Sequence, residues 1–113
     1  MGEFAAGQII ILPFPFSDLS QNKFRPALLL ADAGRNDWIA CQITSNPYAD
    51  SRVITLSEMD FIAGGLQRLS YARPGKLFTA NEALFADSAD ALKPATLSRV
   101  RNAVIKLLKD ETG

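Results

Sequence analysis

The sequence predicts a mainly β fold, a small antiparallel sheet or barrel with one C-terminal helix packed on it. Three observations carry this expectation. Short apolar runs recur from Gly7 to Thr79, each bounded by Gly, Pro, Asn, Asp or Ser. Helical spacing of apolar residues begins only at Pro94. The chain has 113 residues, 48% apolar and 21% charged, which suits a single domain over residues 1–113 and excludes wholesale disorder or a coiled coil.

Gly7-Gln8-Ile9-Ile10-Ile11-Leu12-Pro13-Phe14 reads as a first strand, opening after a glycine and closing at a proline. Its continuous apolar run predicts burial on both faces. Pro15 to Phe24 has no periodicity and reads as loop. Arg25 to Ala31 is a second strand, with Pro26 at its start, and Asp32 to Asp37 is a turn. Trp38 to Ile43 is a third strand, so the second and third form a hairpin. Arg52 to Leu56 alternates cleanly and is a fourth. Ser57 with Asp60 three residues on has the spacing of a capped helical turn. Gly64-Gly65 is a turn. Gln67 to Ala72 and Lys76 to Thr79 read as two more strands, broken at Pro74-Gly75. Leu97, Val100, Val104, Leu107 and Leu108 define an amphipathic helix from Pro94 to Lys109, with Pro94 in its first turn.

Several function classes drop out early. The longest apolar run, Ile9 to Phe16, contains two prolines and falls far short of the roughly 20 residues of a membrane helix. No basic region precedes an apolar stretch at the N-terminus, so no secretory signal is expected. The lone cysteine, Cys41, cannot make an internal disulfide and fits a reducing, cytoplasmic setting. The chain has no histidine, which excludes Ser-His and Cys-His nucleophile pairs and His-ligated metals. Twelve Lys plus Arg balance twelve Asp plus Glu, so a nucleic-acid partner would need a local basic patch.

Three segments offer chemistry. Arg25 stands where a loop enters a strand, so its base is held while its fork points away, and two parallel donors suit two phosphate oxygens. Arg-Pro is also common, and describes equally well a surface arginine before a strand-opening proline. Gln42-Ile43-Thr44-Ser45-Asn46 sets hydroxyls and an amide at a strand end, able to hold phosphate oxygens or simply to build a turn. Ser70-Tyr71-Ala72-Arg73-Pro74-Gly75-Lys76 offers an aromatic and two cations, a surface for a single nucleic-acid strand or a plain hairpin with solvated cations. Trp38 and Tyr48 read as packing residues, and Cys41 as a small buried apolar one. The Asp and Glu residues show no metal-ligand spacing.

The order of these segments is informative. Gly7-Gln8-Ile9-Ile10-Ile11-Leu12-Pro13-Phe14, then Arg25-Pro26-Ala27-Leu28, then Gln42-Ile43-Thr44-Ser45, resembles the MazF/PemK family of toxin endoribonucleases. The likeness runs on through Gly65-Leu66, Ser70-Tyr71-Ala72 and Lys76-Leu77-Phe78-Thr79 to the C-terminal helix, over residues 7 to 109. It implies a small SH3-like antiparallel barrel of the CcdB type, usually a homodimer, that cuts single-stranded RNA without a metal or cofactor. It also implies a small antitoxin protein with an acidic tail as partner. The family's catalytic arginine falls on Arg25 and its hydroxyl residue on Thr44. Lys23, Ser45, Arg73 and Lys76 are expected to contact the RNA backbone, and the basic groove of Lys23, Arg25, Arg73 and Lys76 would draw the antitoxin tail as well. The competing expectation is a related module that binds RNA or antitoxin without cleavage. Two departures bear on it. Ser20-Gln21-Asn22-Lys23 lacks the glutamate many relatives carry there, and Gly75-Lys76-Leu77-Phe78-Thr79 stands where many read Asp-Gln-Ile/Val-Arg-Thr.

Overall fold

The computed structural model describes residues 4–14, 23–47, 51–63 and 69–110, with the backbone alone for Phe14 and Lys23. Among these residues the strands are β1 (Gln8–Phe14), β2 (Lys23–Gly34), β3 (Asp37–Thr44), β4 (Ile54–Leu56), β5 (Ser70–Asn81) and β6 (Asp87–Ala91), followed by the helix α1 (Pro94–Lys109). They form one sheet in the order β4-β5-β3-β2-β1-β6, with every pairing antiparallel. Of the predicted Pro15–Phe24 loop, residues 15–22 lie outside the described residues, as do the Gly64-Gly65 turn, the Gln67 start of a strand and Tyr48, while Lys23 and Phe24 already belong to β2, held by their pairing with β1.

The sheet curls until its edges meet. Beyond β4 a short 3-10 turn (Glu58–Asp60) leads to Phe61, which bridges Leu92 beyond β6. The Ile62 N–H donates to the Ala91 carbonyl at 2.8 Å, and the Lys93 N–H to the Asp60 carbonyl at 2.9 Å. Asp60 ties this seam together. Its carboxylate accepts from the Ser57 N–H at 2.8 Å and from the Thr96 hydroxyl at 2.8 Å. Partial burial pushes the Asp60 carboxyl up, but the Ser57 and Thr96 bonds and the Arg99 charge outweigh it and leave the group below its ordinary value.

The two faces of the sheet each bury apolar side chains. Ile9, Leu28, Cys41, Ile43 and Ala72 lie on the helix side with Val100, and Leu97 and Val104 pack against them. The opposite face gathers Ile10, Leu12, Ala27, Leu29, Trp38 and Ala40. β1 therefore buries both of its faces, as its unbroken apolar run predicts. Gly7 has φ +97, and a Cβ there would meet Leu97 Cδ2 at 3.3 Å, so glycine serves both the turn and the close approach of the helix. The hairpin between β2 and β3 turns on Arg35 and Asn36 alone, at φ 56 and 67, the backbone of a two-residue turn suited to twisted strands. The strands thus run closer to the tip than the predicted turn from Asp32 to Asp37 allows.

Four expectations are corrected. The two late strands are one, because β3 pairs Cys41 with Leu77 and then Gln42 with Arg73, so residues 74–76 bulge out of a continuous β5. Pro74 sits where no ladder bond is needed, and so it does not end the strand. β4 starts at Ile54, not Arg52. β6, Asp-Ser-Ala-Asp-Ala, carries no β-branched or aromatic residue, and only its pairing with β1 makes it a strand. The helix has the predicted bounds, but Leu108 is 73% exposed, because a rotation of about 100° per residue carries it off the Val100–Val104–Leu107 line.

Candidate active site

The site is assembled by strand register. β2 and β3 pair Leu28 with Cys41 and Ala27 with Gln42. Continuing that register by two residues sets Arg25, at the exposed start of β2, across from Thr44 at the end of β3. Arg25 also pairs with Leu12 of β1, Thr44 with Tyr71 of β5, and Tyr71 with Thr55 of β4. One cross-strand row therefore reads Leu12, Arg25, Thr44, Tyr71, Thr55. The adjoining row on the same face reads Ile10, Ala27, Gln42, Arg73. Because side chains alternate along a strand, both rows lie on the face turned away from α1. That face is apolar at Ile10, Leu12 and Ala27 and polar from Arg25 to Arg73.

Within these rows the structure supplies hydrogen bonds. Arg73 Nη1 donates to Gln42 Oε1 at 3.2 Å. The Thr44 hydroxyl accepts from the Asn46 N–H and lies in donor range of the Asn46 carbonyl, each at 3.1 Å. This is the turn chemistry that Ser and Asn after a strand suggest, and it also fixes where the hydroxyl sits. Ser45 is exposed just past β3. Lys23 opens β2 opposite Phe14, and its side chain lies outside the described residues.

Arg25, Thr44 and Arg73 are thus brought to one face. Lys76 is exposed in the β5 bulge, whose Pro74 lies beside Ala103 and Leu107 of α1, on the other side of the sheet. The sequence offers Gln42 and Tyr71 only as members of the two candidate segments, and Arg73 alone of the three is expected to contact RNA. Period-two spacing from Thr44 to Gln42, and from Arg73 to Tyr71, is the signal that finds them. It becomes readable only once the register is known.

Other candidates resolve as packing. Trp38 is buried, and its indole N–H donates to Glu82 Oε2 at 2.9 Å. Cys41 is buried, which pushes its thiol up to about 12 despite an N–H bond from Arg73, so it is not a thiolate near neutral pH. Among the described residues no three His, Cys, Asp or Glu side chains gather in a metal-binding group. Asp60 and Asp90 hold the seam, Asp90 accepting from the Ala63 N–H at 3.0 Å, so their negative charge lies away from the Arg25 row.

Residues 5–108 match the family model described as PemK-like, MazF-like toxin of type II toxin-antitoxin system. MazF from Deinococcus radiodurans has a similar crystal structure, with 22% identity, 93% of this chain and 96% of that one covered, and a TM-score of 0.70. An endoribonuclease in complex with its cognate antitoxin, from Mycobacterial species, is similar at 16% identity over 91% of this chain and 92% of that one, with a TM-score of 0.70. The Mycobacterium tuberculosis toxin MazF-mt6 is similar at 14% identity over 89% and 95%, with a TM-score of 0.69. At these identities the likeness to solved structures is one of fold. No curated protein sequence matches the chain.

Proposed function

This chain belongs to the PemK-like, MazF-like toxins of type II toxin–antitoxin systems, and from that premise we propose that it is a metal-independent endoribonuclease acting on single-stranded RNA. The observation that carries the reading is the row in which register aligns Arg25 with Thr44, with Arg73 in the row beside it. The RNA's own 2′-hydroxyl attacks the adjacent phosphorus. A 2′-oxygen–phosphorus bond forms and the bond to the 5′-oxygen breaks, leaving a cyclic phosphate and a 5′-hydroxyl end. The attacking hydroxyl gives its proton to water, and the leaving oxygen takes one from water.

Negative charge grows on the non-bridging oxygens as phosphorus becomes five-coordinate. A guanidinium is suited to that charge, since its two parallel donors meet two oxygens and its pKa above about 12 keeps it charged throughout. Arg25 is assigned this role. Thr44 turns its hydroxyl hydrogen from the Asn46 carbonyl to a phosphate oxygen while still accepting from the Asn46 N–H, so it reaches the substrate already positioned. Most of the rate gain comes from such positioning and from charge stabilisation.

A module that holds RNA or an antitoxin without cutting it would use the same face, and the lack of a glutamate in Ser20-Gln21-Asn22-Lys23 favours that second reading. One experiment separates the two. The purified protein is incubated with a long unstructured RNA in EDTA, and the ends are analysed. Fragments with 5′-hydroxyl ends are expected; RNA that is bound but uncut supports the module, and cleavage restored only by magnesium rules out the metal-free mechanism.

The proposal extends to assembly. Ile105 and Leu108 of α1 are exposed, and one small domain offers a short groove for a single strand. A homodimer at micromolar concentration is expected, and sedimentation that shows only monomer across that range contradicts it. The solved MazE-MazF complexes of Deinococcus radiodurans and the mycobacterial endoribonuclease–antitoxin complex support a small antitoxin as the protein partner.

A further inference from the structure

Gln42 stands on β3, the strand between β2 and β5. It is the direct cross-strand partner of Arg73 and accepts its guanidinium at 3.2 Å. Arg73 is thereby drawn inward across the sheet, toward the strand that ends at Thr44. Gln42 is a neutral amide, so this bond orients the guanidinium without itself cancelling charge. Gln42 and Arg73 lie two residues from Thr44 and Tyr71 along their strands, about 6.5 Å. That offset is close to the step from one phosphate to the next along an extended single strand.

Resting on the ribonuclease reading above, we infer that Gln42 and Arg73 form a second phosphate subsite, taking the phosphate next to the one held by Arg25 and Thr44. Gln42 is a positioning residue and acts through Arg73. Its amide fixes the guanidinium, and the guanidinium fixes the strand so that only one phosphorus lies opposite Arg25.

The test reads binding, so it does not depend on cleavage. The probe is a short single-stranded RNA with a 2′-deoxy sugar at the attack position, titrated against wild type, Arg73→Ala, Gln42→Leu and the double variant. Arg73→Ala is expected to weaken binding about tenfold and Gln42→Leu about threefold, as for losing a charged contact and its orienting bond. The double variant should match Arg73→Ala alone, because Gln42 has no route to the RNA once the guanidinium is gone. Independent, multiplying effects of the two substitutions would overturn the coupling. A second measurement uses the same RNA with one methylphosphonate, placed at each linkage in turn. In wild type a neutral linkage beside the attack position should cost about tenfold, and in Arg73→Ala that penalty should vanish. A penalty that persists in Arg73→Ala assigns that phosphate to another residue and ends the proposal. If the RNA binds with the expected coupling yet natural RNA is not cut, the ribonuclease reading fails while the subsite stands.

Discussion

The two faces of the curled sheet are built by the same strands and end differently. Under α1, Ile9, Leu28, Cys41, Ile43 and Ala72 are all buried, and the helix supplies Leu97, Val100 and Val104 to cover them. On the other face, burial holds at Ile10, Leu12 and Ala27, and then Arg25, Gln42, Thr44, Tyr71 and Arg73 follow in the same rows. The helix-side face works as a support: strand positions are locked there by packing. The polar rows on the other face inherit that precision, because alternate residues of a strand cannot move independently. A site made this way needs no long loop to bring an arginine and a hydroxyl together.

Substitutions on the two faces should therefore separate stability from activity. Leu28→Ala, under the helix, is expected to cost roughly 2–5 kcal/mol by chemical denaturation, with activity per folded molecule little changed. Arg25→Ala should do the reverse: cleavage falls at least ~100-fold, about 2.7 kcal/mol in the barrier, with an unchanged melting midpoint. A fold-preserving Arg25→Ala of full activity removes Arg25 from the site, and a large drop in its melting point would show that the two faces are not separable.

The seam sharpens the contrast on a smaller scale. Asp60 holds the edges together and its carboxyl titrates below the ordinary range, so its contribution is present above about pH 4 and is lost as pH falls through its folded value. Asp60→Ala should cost about 1–2 kcal/mol at pH 7 and flatten the acid limb of the stability curve. Equal destabilisation at pH 7 and at pH 2.5 would show that the carboxylate's charge is not what holds the seam. The smallest effect is expected at Lys76, whose bulge packs on the helix side. Lys76→Glu should weaken RNA and antitoxin binding together by less than about tenfold, and less still as salt rises. Titrations of both partners at two salt concentrations check this; a loss of RNA affinity well beyond tenfold would place Lys76 in the site after all.

Much of this was legible in the chain. The helix bounds follow from Pro94 and the spacing of Leu97, Val100 and Val104, because a helix is held by bonds and periodicity within one segment. β1 and β3 could be read from β-branched and apolar runs, and the motifs around Arg25 and Thr44 nominate those two as candidates. Ser57 and Asp60 announced a capped turn, since a cap is also a local affair.

What the tertiary structure decided was pairing. Pro74 interrupts a strand in any local reading, yet β5 continues past it because β3 offers partners on both sides of a bulge. β6 has no strand-forming residues and exists because β1 has an edge to fill. The offer of Gln42 to Arg73, 31 positions away in the chain, follows from register alone. A local pattern can say that a side chain alternates with its neighbours. Which residue on another strand it meets depends on the slide of one backbone along another, and a slip of one residue would turn every side chain to the opposite face. That slide is set by the packing of the whole sheet against α1, and so the row uniting Arg25, Thr44 and Arg73 on one face belongs to the fold and to no single segment.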